Sequence, residues 1–139
     1  MDGTFFAVFA GVMIIGVMLI AVIMLTKKGA VQLDVDKYRS RWLAVENQLK
    51  RDEESSYHLC ILNADKLLDQ ALRERGVKGE TMGERMKTAR DTWSNANAVW
   101  TAHKLRNQVA HEPDVRISYD DTRRALAAFK QALKDVGAI

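Results

Sequence analysis

The sequence predicts an all-α protein: an N-terminal transmembrane helix followed by a small four- to five-helix bundle. Three observations carry this. From Phe5 to Leu25 all 21 residues are apolar or glycine, with no charge. Beyond that run, apolar residues recur at spacings of three and four, the period of one helix face. Pro113 is the only proline and β-branched runs are absent, so little interrupts or competes with helix.

The first 26 residues read as the anchor. A run of 21 apolar residues spans roughly 30 Å as a helix, the thickness of a hydrocarbon core. A cleaved signal peptide has a basic leader and a shorter apolar run, whereas here only Asp2 is charged ahead of the segment. Lys27, Lys28, Lys37, Arg39 and Arg41 follow closely and no Lys or Arg precedes, so the positive-inside bias predicts a single pass with the C-terminal domain in the cytoplasm. Gly3, Ala7 and Gly11 recur four residues apart, a spacing that lets two anchors approach closely.

Residues 27–34 form the predicted linker and 35–139 the bundle. The first bundle helix carries Val35, Tyr38, Trp42, Val45 and Leu49, with Asp34 or Asp36 as cap. Its stripe lapses over Lys50 to Ser56 and resumes in a shifted frame as Tyr57, Cys60, Ala64, Leu67 and Ala71. Either a second helix or one stuttering helix gives that pattern. Gly76 ends it after Arg73 and Arg75, cations suited to a carbonyl end. Thr81 and Glu84 have capping-box spacing and open a short helix bearing Met82, Met86, Ala89 and Trp93. "SNAN", Ser94 to Asn97, supplies a break or cap before a helix from about Ala98 to His111 or Glu112, stopped by Pro113. Ser118 and Asp121 repeat the capping box and open the last helix, with Tyr119, Leu126, Phe129, Leu133 and Val136 on one face and Gly137 closing it. "VRIS", Val115 to Ser118, is too short to exclude a strand.

Composition narrows the chemistry. All 21 basic residues follow the span, as do all but Asp2 of the 18 acidic ones, so the soluble part carries +4. That mild excess suits phosphate contacts or an anionic leaflet but is weaker than a bulk nucleic-acid coat requires. The single cysteine, Cys60, forms no intramolecular disulfide and reads as a small buried apolar residue. No metal spacing joins the histidines, since His103 and His111 stand roughly 12 Å apart along a helix. No cofactor motif is present: there is no Gly-rich phosphate loop and no nucleophile with an evident base.

The concentration of chemistry is "LRNQVAHEP", residues 105 to 113. Each helical residue advances about 100°, so Ala98, Ala102, Leu105 and Val109 share the expected packing face. His103, Asn107 and His111 fall on a separate stripe beside Trp100, with His103 and Asn107 expected to be exposed. Arg106 projects about 140° from His111 and lies at the edge of the apolar face. It is expected to snorkel, to pair with an acid such as Asp65 or Glu84, or to face a partner. His111 is also well placed to interact with the carbonyl dipole of the helix end. Trp42, Trp93 and Trp100 read as core or interface anchors, and His58 as an ordinary helix residue.

"LRNQVAHE", with Arg106, Asn107 directly after it and His111 four residues further on, resembles the signature of the HEPN superfamily, helical-bundle proteins marked by an arginine followed at short range by a histidine. Size, all-helical character and a motif helix with one more helix to follow agree with it over residues 35–139. The resemblance implies a homodimer with a composite site and metal-independent endoribonuclease activity, or a silent binding module. Arg106, Asn107 and His111 are then the catalytic residues, with His103 and Trp100 in support. Independently of the resemblance, the basic residues Arg123, Arg124, Lys130 and Lys134 of the last helix suit contact with either phosphate or an acidic partner. The expected partners are therefore the membrane through residues 5–25, a second copy, and RNA. The alternative is a non-catalytic adaptor that tethers a protein partner to the cytoplasmic face of the membrane.

Overall fold

The structure is a computed structural model that describes residues 2–26 and 31–139. Among them all regular structure is helical: α1 (Gly3–Thr26), α2 (Val35–Gln48), α3 (Glu54–Glu74), α4 (Met82–Thr88), α5 (Ala96–His111) and α6 (Tyr119–Asp135), with a 3₁₀ turn at Arg90–Thr92. "VRIS" forms neither helix nor strand. The chain divides into two compact units, Met1–Val31 and Gln32–Ile139.

In the first unit, α1 runs 24 residues without a charged side chain and buries none of them. A helix apolar on every side has no water-facing stripe. It is long and apolar enough to cross a membrane. Lys27 and Lys28, and with them the first half of the expected linker, residues 27–30, lie outside the described residues.

The second unit starts slightly earlier than the sequence suggests. Leu33 is already buried in the core, and the Asp34 side chain accepts a hydrogen bond from the Lys37 amide as the α2 cap. The lapse at Lys50–Ser56 is a true break, so α2 and α3 are separate helices. Ser56 stitches the turn by bonding both backbone groups of Lys50 and the carbonyl of Glu53, and the Tyr57 hydroxyl donates to the Arg51 carbonyl. Both side chains stand in for the backbone partners that a continuous helix would have provided.

α3 is the centre of the bundle, packing against α2, α4, α5 and α6. Its fully buried Cys60, Ile61, Ala64, Leu68, Ala71 and Leu72 meet Tyr38, Met86, Phe129 and Leu133 from the surrounding helices. Gly76 and Gly137 adopt φ of 76° and 75°. Each follows a helix end where the next amide reaches back five residues, Val77 to Leu72 and Ala138 to Leu133, satisfying carbonyls the helix leaves free. α4 stops sooner than the Met82–Trp93 pattern predicts. Trp93 lies beyond the 3₁₀ turn and its indole donates to the Met86 carbonyl, which fixes it in the core without helical backbone.

The seam between α2 and α6 is closed by Glu46, which accepts hydrogen bonds from Lys130 Nζ at 3.0 Å and Trp42 Nε1 at 2.7 Å. Burial works against its charge, but these bonds and the Lys130 charge outweigh it and hold the carboxyl below the usual value. A lowered folded pKa means stability present above the unfolded value of about 4.3 and lost as pH falls through the folded one. Glu46→Gln is therefore expected to reduce stability modestly at pH 7, since the pair is partly solvated. In urea unfolding followed against pH, the gap to wild type should close below about pH 4.3; a gap constant from pH 7 to pH 3 would contradict it.

Candidate functional site

α5 is set by its caps and by one acid of α3. Asn95 accepts from the Ala98 amide at the start, and Glu112, extended ahead of Pro113, ends the helix. The expected packing face is rotated. Val99, Ala102 and His103 are the buried residues, while Ala98, Leu105 and Val109 are only half-buried. The centre of the inward face moves by roughly 80° toward Arg106. The expectation that His103 is exposed is corrected: its side chain is 8% exposed. Asn107 is half-buried beside it rather than part of an exposed stripe.

The reason is Asp65, a carboxylate with 3% exposure on the inner side of α3. Its Oδ1 lies 2.7 Å from His103 Nδ1, and its Oδ2 lies 3.3 Å from Arg106 Nε, close enough for an ion pair but not aligned as a hydrogen bond. Arg106 Nη1 donates to Asn107 Oδ1 at 3.0 Å, and Asn107 Nδ2 faces His103 Nε2 at 3.4 Å. The four side chains close a ring. Because a carboxylate only accepts, the imidazole proton sits on Nδ1, and Nε2 is left as acceptor for the amide of Asn107. Of the two acids the sequence offers to Arg106, the structure selects Asp65. Glu84 instead accepts from the Glu80 amide at 2.6 Å.

His103, Arg106 and Asn107 of the ring line a groove between α4 and α5. This groove has a volume of about 460 Å³ and is lined by Met82, Gly83, Lys87, Trp100, Lys104 and Arg106 among others. Trp100 is half-buried, in contrast to the core residues Trp42 and Trp93. Its ring meets His103 edge to face, with centroids 6.0 Å apart. Nε of Arg106 faces Asp65 and Nη1 is engaged by Asn107, which leaves Nη2 free of hydrogen bonds among the described residues.

His111 is not part of this arrangement. It is the exposed last residue of α5, on a face about 140° from Arg106. One chain therefore brings together Arg106, Asn107, His103 and Trp100 but not His111. On the last helix, Lys130 is engaged by Glu46, Arg124 lies 3.9 Å from Asp121, and Arg123 stands over the Tyr119 ring.

A second buried pair was not anticipated from sequence. Arg85 of α4, almost fully buried, donates from Nε to Asp69 at 2.6 Å and from Nη1 to the Gly79 carbonyl at 2.6 Å. A Cβ at Gly79 would meet the Arg85 backbone nitrogen at 2.7 Å, so glycine is needed where the loop closes over this arginine. The available signal was the spacing of Asp65 and Asp69, two acids one turn apart on the central helix, the first of them among its buried residues.

Cys60 is fully buried, and burial pushes its thiol above the usual range, away from nucleophilic use. Comparison with family models, curated proteins and solved structures finds no match for this chain.

Removing the carboxylate strands two buried donors. Asp65→Ala is expected to cost about 3–5 kcal/mol in urea unfolding. Arg106→Leu should cost distinctly less, because a third of that side chain keeps its water (34% exposed). Equal losses from the two variants would show that the ring is not organised around Asp65.

Proposed function

We propose that this protein is a membrane-anchored, HEPN-like helical domain that faces the cytoplasm, dimerises and cleaves RNA without a metal. The observation that carries the reading is the presentation of Arg106. Asp65 and Asn107 hold its guanidinium in one orientation while its remaining edge stays open to a groove bearing further cations. A fixed guanidinium suits a phosphodiester, since its planar fork matches two phosphate oxygens and loses little freedom on binding.

In this reading His111 supplies the proton transfer from a second copy. Its exposure at the end of α5 leaves it available to a twofold partner, whereas its own Arg106 points about 140° away. The imidazole takes the proton from a ribose 2′-hydroxyl, and the 2′-oxygen attacks the adjacent phosphorus. The P–O5′ bond breaks to leave a 2′,3′-cyclic phosphate, and the leaving oxygen takes up a proton. Arg106 stabilises the extra negative charge of the pentacoordinate state, and Asn107 keeps the guanidinium aligned.

A second reading is favoured by the same ring. His103, Arg106 and Asn107 all serve the packing of α5 on α3, so the motif is sufficient as a fold determinant of a silent adaptor that tethers a protein partner to the membrane.

The test is cleavage of single-stranded RNA by the full-length chain in detergent with excess chelator. His111→Ala, a change at an exposed position, is expected to lower the rate about 10²–10⁴-fold with unfolding unchanged. Arg106→Lys keeps the charge but loses the fork, and should also be strongly impaired. Mixing the two variants should restore roughly a quarter of wild-type activity, because half the dimers are mixed and each has one intact composite site. No cleavage by a folded wild-type dimer would favour the adaptor, and activity indifferent to His111 would remove it from the site.

A further inference from the structure

The groove between α4 and α5 contains more than an arginine-and-histidine motif calls for. Its indole is already ordered. The Trp100 and His103 rings meet in a T-shaped contact, and α4 comes near enough that a Cβ on Gly83 would lie 3.9 Å from Trp100 Cη2. An aromatic side chain held at a half-open position loses little conformational freedom when a flat ligand settles on it. Three cations surround it: Lys87 from α4, and Lys104 and Arg106 from α5. Neither lysine has an acidic partner among the described residues. Among the described residues one acid lines the groove, Glu84, and it accepts from the Glu80 amide. A volume of about 460 Å³ falls in the lower part of the range for small-ligand sites.

We infer that this groove is a binding subsite for one unstacked nucleotide of a single-stranded RNA, with the base on Trp100 and the flanking phosphates on Lys87, Lys104 and Arg106. Stacking on an aromatic platform beside a cationic wall is how sequence-tolerant single-strand sites are built, because every base presents a flat face and every linkage a charge. A duplex keeps its bases inside and offers the groove only phosphate. An acidic peptide offers carboxylates but no ring for the indole. The inference rests on the RNA part of the reading above and not on cleavage. It places the strand along the α4–α5 wall rather than at the helix end where His111 lies.

Binding and cleavage are separated by a five-nucleotide 2′-O-methyl oligoadenylate, which has no 2′-hydroxyl to attack. Titrated into the full-length chain in zwitterionic detergent, it should quench tryptophan fluorescence. Trp42 and Trp93 are buried, so Trp100→Phe should abolish the quench. Lys87→Gln with Lys104→Gln is expected to weaken binding about tenfold and to flatten the log–log salt dependence by about 1.4, at roughly 0.7 for each phosphate left without its cation. The exposed pair Arg39→Gln with Lys66→Gln removes the same charge elsewhere and should stay within twofold of wild type. The subsite is overturned if no quench occurs, if the control pair loses as much affinity, or if a duplex or an oligoglutamate peptide binds as tightly. Saturable groove binding without RNA cleavage sinks the nuclease and leaves the subsite standing. Cleavage that survives loss of Lys87 and Lys104 with unchanged affinity does the reverse.

Discussion

A carboxylate buried inside a helical bundle must be answered by donors, and the answer decides how the neighbouring helices sit. Asp65 does this for α5. Leaving it unpaired costs several kcal/mol, so α5 is turned until His103 and Arg106, three residues apart, both reach it. One turn further along α3, Asp69 plays the same part for α4 through Arg85. The two walls of the α4–α5 groove are thus suspended from two adjacent acids of the central helix. Apolar packing alone tolerates sliding and rotation. Paired buried charges do not, and here they fix the rotation that leaves Trp100 half-open.

The same feature explains where sequence reasoning succeeds and where it stops. Cap and stop signals act within a few residues, so Asp34, Thr81 and Ser118 as caps and Gly76 and Gly137 as terminators were legible and occur where the pattern puts them. The break between α2 and α3 left two readings open, because the side chains that settle it, Ser56 and Tyr57, bond to backbone six residues away and leave no periodic trace. The rotation of α5 was not legible. Hydrophobic periodicity treats histidine and arginine as outward-facing, and the acid that draws them inward is 38 residues distant from His103. Asp65 itself was recognisable only as one of several possible partners of Arg106.

This burial changes what the Arg106–His111 motif can mean. Two of its neighbours, His103 and Asn107, are occupied in maintaining the fold, and Arg106 divides its donors between the fold and the groove. His111 takes no part in the ring. A nuclease built on this plan keeps its electrophilic arm rigid within one chain and takes its proton carrier from another, so dimerisation becomes the step that assembles the chemistry. In the proposed reading α1, which carries no charged side chain, is the anchor, and lateral association in a membrane would bring two copies together at far lower bulk concentration than free domains require.

The ring around Asp65 also has a direction. Its three hydrogen bonds point the same way, from the arginine to the asparagine, from the asparagine to the histidine and from the histidine to the aspartate, and the ion pair between the arginine and the aspartate closes it. A chain of bonds with one polarity has no neutral single replacement. Asn107→Asp, for instance, offers His103 Nε2 an acceptor where it needs a donor, and relief requires the imidazole to take on a second proton. Gln or Glu at the same place carries the polar atoms one methylene too far. Residues 65, 103, 106 and 107 are therefore accessible to change mainly in pairs, and the local sequence "HKLRN" is a unit of inheritance on structural grounds, whatever chemistry is later asked of its exposed edge.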